Sequence, residues 1–422
     1  MDADGRMEII RELCSFERRL TGTDAERRAA DRMAERLGES GRRVEVEPIH
    51  VHPQVGLISA AHCALGLAGS LVAIELPVLG FALALLATTS MYLDLNARLY
   101  LIRRLFFRRA SQNVVSRGKR AEAPARVVIT AHLDAARTGA VYSPVTTRLF
   151  ARVANAVPFV LSPSRMLFWS LAILVPVLAI RAAGVDSDLI SLFQLPPTLV
   201  LLVALFALVD IALSDVVPGA NDNASGVAVA LSLADELEAE QPSQLDVWVV
   251  LTGGEECLMQ GMRSFIRSHK RQLDGSSTYV LNLDSVGTGK VRFAIGEGPA
   301  VTYALDSRLT ELCAAIAEAD AEGADRFGAS PLRHGFATDA LQARLARIPA
   351  TTITCLERGA LLPANHHAAG DVPGAIDPAA LDRAHGFALE LIRRLDDDVG
   401  RRAGGERKTS PRPRARVAAS ER

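Results

Sequence analysis

Carboxylates and imidazoles recur in this sequence just past short apolar runs, the place where a parallel sheet presents its functional side chains. Arg126–Asp134 reads RVVITAHLD, an apolar run ending in His132-Leu133-Asp134. The i, i+2 spacing lets His132 hold a metal ion while Asp134 sits behind it. A carboxylate there accepts the other imidazole N–H and sets the tautomer and orientation of the ring. Pro218–Leu231, PGANDNASGVAVAL, places Asp222 in a loop of small residues that opens a helix. Taken alone, Asp222 reads more readily as an ordinary helix N-cap. Val247–Glu256, VWVVLTGGEE, ends a buried strand with two adjacent carboxylates, an expensive arrangement unless a cation neutralises them. Neighbouring side chains point different ways, so one of Glu255 and Glu256 can ligate a metal while the other faces substrate as a base. NLDSVG carries Asp284 past another apolar run, and ANHHAAGD carries the adjacent His366 and His367. No segment is compelling by itself. Together they supply His, Asp, Glu, Asp and His, a ligand set suited to two divalent ions of borderline hardness.

Something must hold these segments together. Helical spacing over Glu26–Leu37 and Ser225–Glu240, and strand-like runs at Val44–Ile49, Gln112–Val115, Arg126–Thr130, Val247–Thr252 and Thr278–Leu283, alternate along the chain. Further helices are expected at Met259–Lys270, near Leu309–Ala319 and over Pro378–Asp396, with a strand near Ala350–Ile353. Such alternation predicts an α/β fold with a mixed, mostly parallel central sheet and helices on both faces.

Two hydrophobic zones interrupt this pattern. Val55–Leu95 is almost uncharged and is broken midway by Glu75 and Pro77, leaving runs of about 18–20 residues, each enough to cross a bilayer. The second zone holds Met166–Ile180 and Pro197–Leu213, separated by RAAGVDSD. Arg165 and Arg181 would have to snorkel at the ends of its first run. Both zones read as transmembrane hairpins, which return the chain to its starting side. Arg98, Arg103, Arg104, Arg108 and Arg109 follow the first hairpin, and Arg148, Arg152 and Arg165 precede the second. By the positive-inside rule the polar domain faces the cytoplasm. The expected organisation is a catalytic domain in three pieces, 1–54, 96–160 and 215–400. Hairpins over 55–95 and 161–214 separate the pieces, and a disordered basic tail occupies 401–422.

Bulk composition narrows the partners. Lys and Arg number 47 against 48 Asp and Glu, a net charge of −1, so no global field recruits nucleic acid. Cys14, Cys63, Cys257, Cys313 and Cys355 form no CxxC pair, which argues against a thiolate zinc knuckle or a disulfide framework. The N-terminal twenty residues are charged and amphipathic, without the apolar core of a signal peptide.

In their order along the chain these motifs resemble those of the di-zinc aminopeptidase family, which includes aminopeptidase Y, bacterial leucyl aminopeptidases and glutamate carboxypeptidases. RRLTGTDAERRAADRMAERLGESG resembles the family's opening stretch, AHLDA its HxD motif, and PGANDNASGVA its PGAxDxxSG motif. GGEE is similar to its Glu-Glu motif and LNLDSVG to its NxDMxG motif. Thr338–Pro349 keeps the spacing of SDHxxFxxxGIP, and His367 to Asp371 keeps that of HTxxD, which selects His367 over His366. The resemblance implies two zinc ions, or another divalent pair, bridged by Asp222. His132 and Asp284 would complete one site, Glu256 and His367 the other. Glu255 would be the general base, with Asp134 orienting His132. The substrate would be a peptide or a small aminoacyl compound. Ala340, Ala343 and Ala368 depart from the family's His, Phe and Thr, positions expected to line or support the substrate end.

Competing readings are a glutaminyl-cyclase-like chemistry, an inactive receptor or scaffold, and a transporter with a fused enzyme-like domain. Inactive relatives usually lose ligands, and here the full set is present. The hydrophobic runs hold few ionisable groups, chiefly His62, Glu75 and Asp210, which favours an anchor over a transporter.

Overall fold

The computed structural model describes residues 1–156 and 162–409. The chain opens with α1 (Ala3–Ser15), capped by Asp2, and α2 (Asp24–Glu39), capped by Thr23. Their buried stripes, Ile9, Ile10 and Leu13 on one and Ala29, Ala30 and Met33 on the other, join the main core. Strand β1 (Arg43–Val51) precedes α3 (Val55–Val72) and α4 (Pro77–Leu95); β2 (Arg109–Arg117) and β3 (Ala125–His132) follow. Next come α5 (Pro144–Ala156), α6 (Pro163–Ala182), α7 (Asp188–Leu213) and α8 (Gly226–Ala239). The remainder runs β4 (Leu245–Thr252), α9 (Gln260–Ser268), β5 (Thr278–Leu283), β6 (Lys290–Glu297), β7 (Tyr303–Ala304), α10 (Ser307–Glu322), β8 (Ser330–Arg333), α11 (Asp339–Leu345), β9 (Ala350–Leu356) and α12 (Pro378–Thr409).

The nine strands form one sheet in the order β1-β2-β4-β3-β5-β9-β6-β7, with β8 also on β6. Its centre, β4-β3-β5-β9, is parallel; β1, β2 and β6 pair antiparallel with their neighbours towards the flanks. Central strands such as β4 are buried along their whole length, as expected where helices cover both faces. From β3 the chain steps to β4 on one side and then to β5 on the other. The strand order therefore reverses about β3, and the crevice beyond its carboxyl end is the natural ligand site.

Helices α3, α4, α6 and α7 pack as a bundle with its own core, including Cys63, Met91, Leu171 and Leu201. Each is long and apolar enough to cross a membrane. Small residues let α3 and α4 approach: a Cβ on Gly80 would lie 2.4 Å from the Ala73 Cβ, the close contact typical of membrane helices. Polar side chains join helices inside the bundle. Gln194 donates to the Ser70 carbonyl at 2.7 Å, and the His62 ring meets the Ser90 hydroxyl at 3.0 Å. His62 is thus a helix-linking group. Val203 and Phe206 are both 69% exposed on α7, an apolar outer surface.

Three expectations need correction. Helix α7 begins at Asp188 rather than Pro197, with Pro196 and Pro197 inside it; neighbouring helices compensate internal prolines in such bundles. Arg165 and Arg181 do not snorkel. Arg165 is buried and donates to the Gly298 carbonyl and the Thr302 hydroxyl, both at 2.7 Å, because the β6–β7 loop lies beneath α6. Arg181 is also buried and is held by Asp186 at 2.9 Å and by Ser191. Finally, α12 continues past Arg401 to Thr409, with Arg401 and Arg402 within 4 Å of Asp398. The rest of the expected tail, 410–422, lies outside the described residues.

The bundle is tied to the α/β body at the ends of its hairpins. Arg103, fully buried, makes a bidentate pair with Asp94 at the end of α4, at 2.6 and 2.8 Å. Its remaining nitrogen donates to the carbonyls of His52 and Cys257, so one cation links α4, the entry to α3 and the loop after β4.

Candidate metal centre and active site

The site grows from loops at the carboxyl ends of β3, β4 and β5. Arg19 is their clamp: its buried guanidinium donates to the carbonyls of Leu133, Leu13, Pro218 and Gly219. It thereby joins the turn after β3 to the turn before α8. Thr21 donates to the Asp134 carboxylate, and the Asp134 oxygens also accept the main-chain N–H groups of Glu255 and Glu256, at 3.2 and 3.1 Å. The early segment of the chain is thus the frame of the β3 and β4 loops.

Asp222 lies in a buried irregular turn, Ala220–Ser225, and its peptide bond to Asn223 is cis. Around it most polar side chains are spent on position. Asp371 accepts the N–H groups of Asn221 and Asp222, at 2.6 and 3.1 Å. Asn223 donates to the Leu283 carbonyl and accepts from the N–H of Ser285. Val286 N–H reaches the Ser225 hydroxyl and Gly287 N–H the Asn221 side chain. These bonds lock the loop carrying Asp284 onto the turn carrying Asp222. Small residues are required: a Cβ on Gly226 would lie 2.5 Å from the Leu283 carbonyl oxygen.

The donors converge on Asp222. One of its oxygens is 3.1 Å from His132 Nε2; the other is 3.1 Å from His366 Nδ1 and 3.4 Å from His367 Nε2. His367 Nε2 is also 3.3 Å from Glu256 Oε2. Donor atoms of His132, Asp222 and Asp284 lie within 4.8 Å of one another, as do those of Asp222, His366 and His367, and those of His132, Glu255 and Glu256. Among the described residues Glu256 Oε1 is buried without a hydrogen-bond partner, and His366 Nδ1, though 3.1 Å from Asp222, is not aligned to bond it, an unfavourable state that a cation would relieve. Imidazoles and carboxylates at this spacing suit zinc.

Asp134 faces His132 with both its main-chain carbonyl and its carboxylate, and it does more than orient the ring. His132 Nδ1 hydrogen-bonds the Asp134 main-chain carbonyl at 3.1 Å, while the carboxylate is 3.5 Å away. The carboxylate spends its main hydrogen bonds on the Glu255–Glu256 backbone and Thr21, so it positions both neighbours of the centre.

Charge crowding shapes the protonation states. Burial, then the nearby negative charge of Asp222, pushes the Asp284 carboxyl up to about 6. Burial, opposed by His132 but reinforced by Glu256 and Asp339, holds Glu255 well above the usual carboxyl range. Burial alone would depress His132, but the carboxylates of Asp134 and Asp222 overcome it and raise its pKa well above the ordinary value. His367 is raised in the same way, by Glu256 and Asp222 among others, against burial. In the metal-free protein His132 and His367 keep protons at neutral pH and Asp284 begins to hold one near pH 6, so zinc must displace protons from its ligands. Zinc affinity is therefore expected to rise from pH 6 to pH 8, with net proton release measurable by calorimetry in buffers of different ionisation enthalpy. A pH-independent affinity would contradict these protonation states.

A cavity of about 410 Å³ opens over the centre. His132, Asp222, Glu255, Asp284 and His367 line it on one side. Val55 and Leu57 of α3, Leu208 and Ile211 of α7, and Phe107 line the other. Tyr142 stands edge-on to His367, ring centres 4.8 Å apart; nothing in its sequence context signalled it. His366 was legible only as half of a His-His doublet. Ala340 and Ala343 do not line the substrate end. Both are fully buried in the core with Trp248, Met262 and Phe265, because α11 turns that face towards α9. Its first residue, Asp339, is buried beside Thr252, and burial with nearby carboxylates pushes it up to about 7.

Sheet topology and clustered donors define the class of zinc exopeptidase folds. Residues 200–392 match the model of Peptidase family M28. That match spans somewhat less than half of the chain and, with the clustered donors, supports a zinc-peptidase-like chemistry. No curated protein matches its sequence. Among solved structures it is similar to a zinc aminopeptidase from Bacillus subtilis, at 13% identity and TM-score 0.54, covering 93% of this chain and 95% of that one. A glutaminyl cyclase from Tannerella forsythia aligns at 15% identity and TM-score 0.53, covering 93% and 98%. A Zn-dependent exopeptidase from Parabacteroides distasonis aligns at 14% and 0.52, again covering 93% and 98%. At such identities the likeness concerns the fold.

Proposed function

We propose that this chain is a membrane-anchored di-zinc exopeptidase of the aminopeptidase type. The observation that carries this reading is the sharing of Asp222 between two donor groups, one with His132 and Asp284, the other with His366 and His367. Asp222 would bridge two zinc ions, with His132 and Asp284 completing one site and Glu256 and His367 the other. His367 is preferred to His366 because it alone also reaches Glu256. Bound zinc supplies a water of lowered pKa and a Lewis acid for the scissile carbonyl.

The chain's own groups do the rest. Glu255 takes a proton from the attacking water and delivers it to the leaving amine. Its elevated proton affinity, set first by burial, suits a group that must both hold and release that proton. Asp134 fixes the Glu255–Glu256 backbone, and Asp371 fixes that of Asn221 and Asp222.

Helices α3, α4, α6 and α7 would cross the bilayer as two hairpins within 55–95 and 161–214, leaving the pieces at 1–54, 96–160 and 215–400 as one body. By the positive-inside rule the arginines between the hairpins favour a cytoplasmic side for that body. Nucleic acid has no part in this reading.

The test is turnover by the zinc-loaded full chain in detergent on dipeptides with free N-termini, blocked N-termini and free C-termini. Cleavage confined to free N-termini is expected; equal cleavage of blocked substrates would overturn the aminopeptidase assignment. Likeness to glutaminyl cyclases motivates a second reading, and a peptide with N-terminal glutamine separates the two. Release of glutamine supports the peptidase, and release of ammonia alone supports cyclisation.

A further inference from the structure

A second concavity, of about 770 Å³, shares no lining residue with the catalytic cavity. It is strongly basic. Arg98, Arg104, Arg108, Arg263 and Arg267 line it, and no Asp or Glu does. Among the described residues none of these five pairs with a carboxylate, whereas Arg103, in the same segment, is saturated by Asp94. Arg263 lies over the Tyr100 ring at 4.4 Å, and among the described residues the buried Tyr100 hydroxyl has no hydrogen-bond partner.

Gathering five guanidinium groups without a counter-charge is unfavourable unless an anion joins them. Their planar donor forks suit phosphate oxygens. Position supplies the second argument. Arg98, Arg104 and Arg108 follow directly on α4, which ends at Leu95, and His50 and His52 of the same hollow directly precede α3, which begins at Val55. Leu105 and Phe107 stand among these arginines 84% and 57% exposed. Apolar and aromatic side chains alternating with cations, where a helical hairpin leaves the apolar zone, mark the level of lipid headgroups.

We propose that this hollow binds a phosphate-type anion, and that the headgroup of an anionic phospholipid is its source. The choice of source rests on the membrane reading of α3 and α4 given above; the anion site itself does not.

The experiment uses the full-length protein in neutral detergent, with thermal unfolding as the readout. Water-soluble short-chain phosphatidylglycerol, phosphatidylcholine of the same chain length, and inorganic phosphate are titrated separately. Phosphatidylglycerol is expected to raise the melting temperature saturably and phosphatidylcholine to leave it unchanged. The R98Q/R104Q/R267Q variant is expected to weaken the phosphatidylglycerol response at least about tenfold, while keeping wild-type zinc content and lipid-free melting temperature. Should the triple variant misfold, R267Q alone serves, since Arg267 lies exposed on the body. Equal responses to both lipids, an unaltered response in the variant, or no response to any anion would overturn the site. Tighter binding of inorganic phosphate than of phosphatidylglycerol would overturn the lipid source. Carbonate washing of membranes carrying the protein tests the anchor separately: release of the chain would refute the membrane reading and leave the phosphate titration to judge the hollow.

Discussion

Glu255→Gln is expected to leave zinc bound and to lower turnover by about 10²–10⁴-fold, the usual contribution of a positioned general base. The amide keeps the size of the carboxylate but holds no exchangeable proton at the required pKa. Its main-chain N–H still bonds Asp134, so the loop keeps its shape. Because Glu255 contributes to only one of the donor groups, the one with His132 and Glu256, the centre on Asp222 remains intact. Zinc content by mass spectrometry, with the rate constant on an aminoacyl substrate, checks both halves. Near-normal turnover would remove Glu255 from the role; loss of zinc would make it a ligand.

Asp222→Ala is expected to empty the centre. Asp222 is the residue within 3.4 Å of His132, His366 and His367 together, so its removal takes a ligand from both proposed ions at once. It also leaves a crowded set of buried imidazoles without their carboxylate. Burial opposes ionisation of Asp222, yet those three histidines hold its pKa well below the ordinary value. Zinc content should fall from the proposed two ions per chain towards none, and activity with it. Asp222→Asn, which keeps the shape of the turn, separates loss of metal from loss of fold. Undiminished zinc in either variant would refute the bridge.

Strands β3, β4 and β5 were legible because each is a compact apolar run stopped by a polar or glycine-rich turn, the signature of a strand buried on both faces. The four membrane-length helices were legible from composition, though α7 reaches back through Pro196 and Pro197. Less could be read of β6, β7 and β8, which are short or weakly patterned, or of α11, whose seven residues carry no clear period. Side-chain purpose was harder still. Ala340 and Ala343 keep the spacing of a substrate-lining motif yet pack into the core, since spacing does not report which face of a short helix turns inward. Arg165 reads as snorkelling because its acceptors, Gly298 and Thr302, lie far along the chain, whereas the partners of Arg181, Asp186 and Ser191, stand in and just after the turn beside it.

Residue type and local order alone determined which side chains can bind a metal, which strands carry them, and which segments are apolar enough for a bilayer. These follow from donor chemistry, hydrophobic periodicity and length, all local properties. Tertiary structure decided the rest: that Asp222 stands between His132 and the His366–His367 pair, that Asp134 holds the Glu255–Glu256 backbone, and that ends of α3 and α7 wall the catalytic cavity. Those relations join positions ninety residues or more apart, and only the packing of a whole sheet can bring such distant groups within bonding distance.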